Sequence, residues 1–471
     1  MSHPSHTGSP ASIPFPEALR FWFKLGCISF GGPAGQIALM HRELVEQRRW
    51  ISERRFLHAL NYCMVLPGPE AQQLATYLGW LMHRTWGGIV AGTLFVLPSL
   101  AILVALSWMY MAWGDHPVMA GLFNGIKPAV LAIVLQATHR LGTRTLRHPL
   151  HWAFALAGLL CLTLAVPFPL VIIVAGCLGW ALGRWSPGPF TSPATTTATA
   201  TPTAVSPSAS MPSLASTHSG HHEGSAEAPP AQTIVCIIDD HTPTPDHAQP
   251  SRARLLTVLG AGLALWVLLM LGVHAFDDAK GTLRTMGEFF TQAALVTFGG
   301  AYAVLPYVVQ GAVETHGWLS GPQMIDGLAL GESTPGPLIM VVAFVGFLGG
   351  WGQAVLGPTS LLAGGIAGAC VATAFTFLPS FIFILAGGPF VEATRDRLGF
   401  TAPLAAISAT VVGVIAHLAL FFASHVLWRD QSLDLRALAL TLIAFLMLVV
   451  WRLNVLWVLG ISAMAGLLLS L

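Results

Sequence analysis

Apolar residues run in long unbroken stretches along this chain instead of alternating with polar ones. In the first half they fall at about 87–113, 118–138, 150–166 and 168–185; in the second, at about 356–386, 401–424, 435–451 and 453–470. Each is close to the roughly 20 residues that a membrane-crossing helix needs. A further stretch, about 255–275, stands alone between the two sets. Both halves also open with two interrupted apolar segments. One is broken at Gly31-Gly32-Pro33, or Gly299-Gly300 in the second half; the other is broken at Pro67-Gly68-Pro69 and again at Pro335-Gly336-Pro337. The pattern predicts an all-α polytopic membrane protein, each half built of two broken helical hairpins and about four spans.

The breaks recur in register. Phe30-Gly31-Gly32 returns as Phe298-Gly299-Gly300, Trp50 as Trp318 and Pro67-Gly68-Pro69 as Pro335-Gly336-Pro337, all at an offset of 268 residues that also matches Phe21, Val45, Glu46, Ser52 and Leu60. Past a 13-residue insertion the offset becomes 281, pairing Leu97-Pro98-Ser99 with Leu378-Pro379-Ser380 and Ile126 with Ile407. Such register marks an internal duplication. The expected layout is a tail (1–16), a first repeat (17–185), a linker (186–250), a connecting helix (251–279) and a second repeat (280–471). The linker is rich in Ser, Thr, Pro and Ala and reads as a disordered cytoplasmic tether. Its His218, His221 and His222 are read as part of that tether, a metal site being the lesser alternative.

Composition removes several function classes. Apolar residues make up 54% of the 471 and charged ones 9%, with a net charge of +1; this is neither a soluble globule nor a nucleic-acid binder working through a basic field. The six cysteines are scattered, so no disulfide framework or zinc ribbon is expected, and the polar N-terminus lacks the pattern of a cleaved signal peptide. H-E-x-x-H, G-x-S-x-G and G-x-x-x-x-G-K-[ST] are all missing from the sequence, so an intramembrane enzyme is the weaker rival to a transporter. A channel or a scaffold stays open, although a scaffold leaves the paired breaks unexplained. No cofactor and no metal are expected.

Charge sets the expected topology. The loop 41–56 carries Arg42, Arg48, Arg49, Arg54 and Arg55, while its repeat partner 309–324 carries no Lys or Arg. The positive-inside rule puts the first loop in the cytoplasm and the second outside. The loop with Arg140, Arg144 and Arg147 belongs inside too, which requires the Pro-Gly-Pro segment to re-enter and not to cross. Counting on, the N-terminus and linker are cytoplasmic, the C-terminus is periplasmic, and the lone span inverts the second repeat.

A helix broken at membrane depth must face protein or a water-filled cavity, because lipid cannot bond its freed backbone groups. The half-helix after such a break starts with exposed N–H groups and the positive end of its dipole, a preformed anion site. Inverted repeats bring two sets of breaks together. The candidate anion-binding residues are therefore Ser29, Gly31, Gly32, Pro67, Gly68, Pro69, Gln72, Gln73, Thr297, Gly299, Gly300, Ser333, Thr334, Pro335, Gly336 and Pro337, with close helix packing through Gly and Pro as the competing reading. Glu70 and Glu332 are candidates for proton coupling, and Glu70 alternatively complements its helix N-terminus. Lys127, mid-span, is expected to attract anion in preference to neutralising a buried carboxylate. Arg20 and Lys24 share a helix face and either gather anions at the mouth or snorkel to headgroups. His417 reads as a hydrogen-bonded core residue.

These motifs resemble the chromate ion transporter family in its long, two-domain form. The resemblance rests on FKLGCISFGGPAGQIALM (23–40), RRWISERRFLHAL (48–60), LPGPEAQQLATYLG (66–79), TFGGAYAVLP (297–306) and STPGP (333–337), and covers about 15–185 and 280–470 but not the linker. It implies chromate export across the inner membrane, chromate resistance, dependence on the proton-motive force, and sulfate as a competing analogue. The second half departs from the first: Leu338-Ile339-Met340-Val341 stands where Glu70-Ala71-Gln72-Gln73 stands in the first, so the two half-sites do different work. A dianion leaving a cell at about 150 mV, negative inside, gains roughly 7 kcal/mol, so export does not require proton coupling. Sulfate uptake or exchange is the alternative function, and a homodimer is left open.

Overall fold

The computed structural model describes residues 13–114, 116–185, 236–239, 245–277, 280–298, 300–393, 401–429 and 432–470. The protein is an all-α polytopic membrane protein; the β pairings among the described residues are a two-residue contact of Trp428-Arg429 with Ser432-Leu433 and a single bridge between Ile51 and Ile238. Among the described residues, six helices are long and apolar enough to cross a membrane and four shorter apolar ones accompany them. Gly299 and the histidines His218, His221 and His222 lie outside the described residues.

The first half runs α1 (Phe15–Ile28), α2 (Gly32–His41), a π-helical turn (Arg42–Gln47), α3 (Glu53–Val65), α4 (Glu70–Trp113), α5 (Pro117–Thr145), α6 (Pro149–Thr163) and α7 (Phe168–Trp185). Then come α8 (Arg252–Phe276), α9 (Thr282–Leu295), α10 (Ala301–Val309), a second π-helical turn (Gln310–Thr315) and α11 (Gly321–Ser333). The second half ends with α12 (Val341–Gly352), α13 (Leu361–Ala393), α14 (Thr401–Val426), α15 (Leu435–Val449) and α16 (Val455–Ser470). The same order of helices, breaks and π-turns is thus written twice. The span expected at 356–386 is displaced to α13, because residues 353–360 form a loop where the insertion falls.

The broken segments are hairpins. Helices α1 and α3, with 14 and 13 residues, are only about 20 Å long, too short to cross alone. After the break the chain returns alongside α1: Arg48 reaches Glu17 at 3.2 Å and Lys24 lies 3.9 Å from Glu43. Phe21 meets Trp50 edge to face at 5.3 Å, and the repeat positions Phe289 and Trp318 meet the same way at 5.5 Å. Helix α4 is itself folded over at His83 and Arg84, where φ/ψ leave the helical region. Its arms, residues 70–82 and 85–113, pack through small residues: a Cβ on Gly79 would lie 2.5 Å from Gly87 O. In the second half α12 and α13 close in the same way, with Gly346 against Gly368 and Gly350 against Gly364. Small facing residues let two backbones approach where lipid gives no hydrophobic drive.

Each half completes the other. Helix α5 packs on α15 and α16, while α14 packs on α6 and α7. Helix α12 is buried from Val341 to Gly350, so it can be apolar all round. Helix α8 buries only Gly262, which sits against Ile382.

The linker departs from the expected tether. Ile237 and Ile238 N–H donate to Arg49 O and Trp50 O, and Ser52 N–H donates back to Ile238 O, each at 3.0 Å. His247 Nε2 lies 3.0 Å from Trp80 O, and Ala248 is fully buried. Residues 236–239 and 245–250 therefore dock on the first half. Two consecutive isoleucines supply apolar surface that the Ser/Thr/Pro-rich stretch before them lacks.

Candidate functional site

Two cross-chain hydrogen bonds tie the four breaks together. The Gly68 N–H donates to Thr297 O and the Gly336 N–H donates to Ser29 O, both at 2.8 Å. Each Pro-Gly-Pro break is thereby bonded to the Gly-Gly break of the other half. Both glycines have positive φ, 124° and 103°, a conformation that costs a side-chain-bearing residue about 1 kcal/mol or more. Space is equally demanding: a Cβ on Gly68 would lie 2.4 Å from Ser380 Oγ, and one on Gly336 would lie 2.7 Å from Ser99 Cβ.

The helices that start at the breaks lack side-chain caps. Helix α2 opens on Gly31 and Gly32 (φ 92° and 69°), α4 on Pro69, α10 on Gly300 (φ 100°), and a short 3-10 turn on Pro337 leads into α12. At other helix starts a side chain fills that role: Ser52 caps α3, Ser320 caps α11 and Asp434 caps α15. Capping satisfies otherwise orphaned N–H groups. The helix starts at the breaks have no such side chain.

Buried polar side chains lie beside the breaks, Ser380 and Gln73 against Gly68 and Ser99 and Gln36 against Gly336, with Gln72 in the first turn of α4. Ser99, Ser380, Gln36, Gln72 and Gln73 are fully buried. Ser99 Oγ, Ser380 Oγ and the side-chain oxygens of the three glutamines have no hydrogen-bond partner among the described residues. Ser99 and Ser380 are not among the residues that the sequence marks by a helix break; their signal there is the recurrence of Leu-Pro-Ser at the second offset.

Other candidates are placed differently from expectation. The hydroxyls of Ser29 and Thr297 donate to Leu25 O and Ala293 O, four residues back. The parts of these residues that join the site are their carbonyls. Ser333 and Thr334 likewise donate back, to Leu330 O and Gly331 O, and Ser333 is exposed. Pro335 and Pro337 are buried beside Gly336, and Pro67 is half-buried. Lys127 is not a free anion-attracting cation; it stands 3.6 Å from Asp326, a buried carboxylate that also accepts from Tyr110 at 2.9 Å. A buried charge needs an opposite partner, and α11 supplies it. Lys24 pairs with Glu43, while Arg20 is exposed on α1. Glu332 accepts a hydrogen bond from Tyr302, and Glu70, half-buried, opens α4. Among the described residues no three His, Cys, Asp or Glu side chains group as a metal site.

The chain matches the family described as "Chromate transporter" over residues 16–180 and 284–467. It is 29% identical to a chromate transport protein of Pseudomonas aeruginosa, over 97% of this chain and 93% of that one. It is 26% identical to a chromate transport protein of Cupriavidus metallidurans, over 85% of this chain and 80% of that one. An uncharacterized transporter of Bacillus subtilis matches at 27%, over 28% of this chain and 68% of its own. No solved structure matches the chain significantly. Both halves are covered by one family, and the breaks lie inside the matched ranges: the chain belongs to the chromate transporter family.

Proposed function

We propose that this protein exports chromate from the cytoplasm across the inner membrane, binding it where the four breaks meet, and that this confers chromate resistance. The single observation that carries the site is the reciprocal pair of bonds, Gly68 to Thr297 and Gly336 to Ser29. The two bonds join positions related by one sequence offset, which is what a twofold axis between the halves generates. With the arginines of loop 41–56 inside and the loop 309–324, which has no Lys or Arg, outside, that axis lies in the membrane plane and the repeats are inverted. The N-terminus and linker are then cytoplasmic and the C-terminus periplasmic.

Binding draws on backbone N–H groups at uncapped helix starts and on the Ser99 and Ser380 hydroxyls. Such neutral donors hold an oxyanion without trapping it by full charge. Each negative charge moved outward at about 150 mV gains roughly 3.5 kcal/mol, so the membrane potential drives export. Glu332, held by Tyr302, and Glu70 are the positions at which protons couple. Sulfate has the same shape and charge as chromate and competes at the mouth of the site.

Flux of labelled chromate in proteoliposomes, with potential and pH gradient imposed separately and sulfate in excess, tests this. The expected result is chromate movement away from the cytoplasmic face that follows the potential. Sulfate flux without chromate flux would overturn the substrate assignment.

A further inference from the structure

The three buried glutamines carry more chemical information than an anion site requires. The Gln36 amide nitrogen donates to Gly336 O at 2.5 Å, that of Gln73 to Pro67 O at 2.7 Å, and that of Gln72 to the Thr76 hydroxyl at 3.0 Å. Backbone carbonyls only accept, so turning either of the first two amides over would set oxygen against oxygen. The Thr76 hydroxyl proton is already committed to Gln72 O at 2.9 Å, so it too can only accept from the amide. All three side-chain oxygens are thereby fixed as acceptors, and none has a donor among the described residues. Leaving one buried acceptor unpaired costs about 1–3 kcal/mol; the oxygens of Gln36 and Gln73, whose amides bond Gly336 O and Pro67 O at the breaks, and of Gln72 in the first turn of α4 each call for a donor.

Acceptors are the wrong complement for a fully ionised oxyanion, whose oxygens also only accept. They suit an oxyanion that still carries one proton. The neighbouring Ser99 and Ser380 hydroxyls and the uncapped N–H groups donate to its bare oxygens, and a glutamine oxygen accepts from its hydroxyl. We propose that the bound species is the singly protonated tetrahedral oxyanion, hydrogen chromate, recognised through both its bare oxygens and its O–H. This rests on the reading of the four-break region as the chromate site. It also separates chromate from sulfate by chemistry, since hydrogen chromate ionises near neutral pH while hydrogen sulfate and hydrogen selenate are fully ionised there. A site that bonds a ligand hydroxyl rejects the analogue lacking it. The repeat positions of Gln36, Gln72 and Gln73 are Val304, Met340 and Val341, so the glutamine set belongs to one half and the chain holds one such site.

The test is equilibrium binding of chromate and of selenate to the full-length protein in nanodiscs across a pH series. The titratable groups around the first arm of α4 are Glu70 and Tyr77 on it, Tyr62 and Cys63 on α3, Glu392 on α13 and His247, whose Nε2 lies 3.0 Å from Trp80 O; these act on both ligands alike. Selenate therefore reports the protein's own titration. Chromate binding is expected to fall about tenfold per pH unit above the ionisation of hydrogen chromate, with selenate at least about tenfold weaker and lacking that slope. Gln72→Met, which copies the residue of the second half, should shrink the preference for chromate over selenate. Equal binding of the two ligands with the same pH profile would overturn the protonated form and leave the chromate site standing. Binding of neither would overturn both. If Gln72→Met fails to fold, the wild-type comparison of chromate with selenate still decides.

Discussion

The Gly68 N–H donates to Thr297 O at 2.8 Å, joining the Pro-Gly-Pro break of one half to the Gly-Gly break of the other. Gly336 and Ser29 repeat the bond at the same length. These contacts cross the chain from end to end, so the site exists only when both halves are assembled. The breaks are thus joints between the halves as well as uncapped helix starts.

Gly68→Ala puts a Cβ 2.4 Å from Ser380 Oγ at a residue with φ 124°. The expected result is at least a tenfold loss of chromate flux per folded protein, following from about 1–3 kcal/mol of backbone strain plus the displaced serine. Gly336→Ala should do the same from the other side. Size-exclusion profiles alongside flux separate loss of transport from loss of fold.

Lys127 and Asp326, 3.6 Å apart, form a buried pair. Removing one partner leaves an uncompensated charge, at a cost of about 3–5 kcal/mol, whereas removing both is far milder. Lys127→Met and Asp326→Leu should each lower the melting temperature, and the double variant should recover most of the loss. A double variant that loses the sum of the two single losses would show that the two charges act independently.

The docked linker makes a finer prediction than tolerance of deletion. Removing residues 195–232 should leave transport unchanged, while Ile238→Pro, which deletes the N–H bonded to Trp50 O at 3.0 Å, should expose 236–250 to protease. Unchanged proteolysis would argue against docking.

Topology can be read by labelling. Arg54 begins α3, and Thr85 begins the second arm of α4. With a re-entrant hairpin between them, cysteines at the two positions should label from the same side of the membrane. Labelling from opposite sides would refute re-entry.

Much of the fold was legible because lipid imposes simple rules. Long apolar runs gave α5 to α8 and α14 to α16, and Pro or Gly at membrane depth marked every break. What stayed hidden depended on partners distant in sequence. Nothing local to Lys127 announces Asp326, and no pattern shows that Gly68 bonds Thr297. The hydroxyls of Ser29 and Thr297 turn back because a hydroxyl at the end of a helix donates readily to the carbonyl four residues back, which their position beside a break does not reveal. Ser99 and Ser380 were within reach: the only buried serines in matched Leu-Pro-Ser triplets carried a signal that register alone did not exhaust. The docking of Ile237 and Ile238 was masked by the composition of the segment around them.

The most direct measurement is chromate flux in proteoliposomes for the wild type and for Ser99→Ala/Ser380→Ala, with folded protein matched between samples. The account predicts potential-driven chromate flux in the wild type and at least a tenfold reduction in the double variant, because both hydroxyls lie beside the break glycines and have no hydrogen-bond partner among the described residues. Undiminished flux in a folded double variant would contradict the placement of chromate where the four breaks meet.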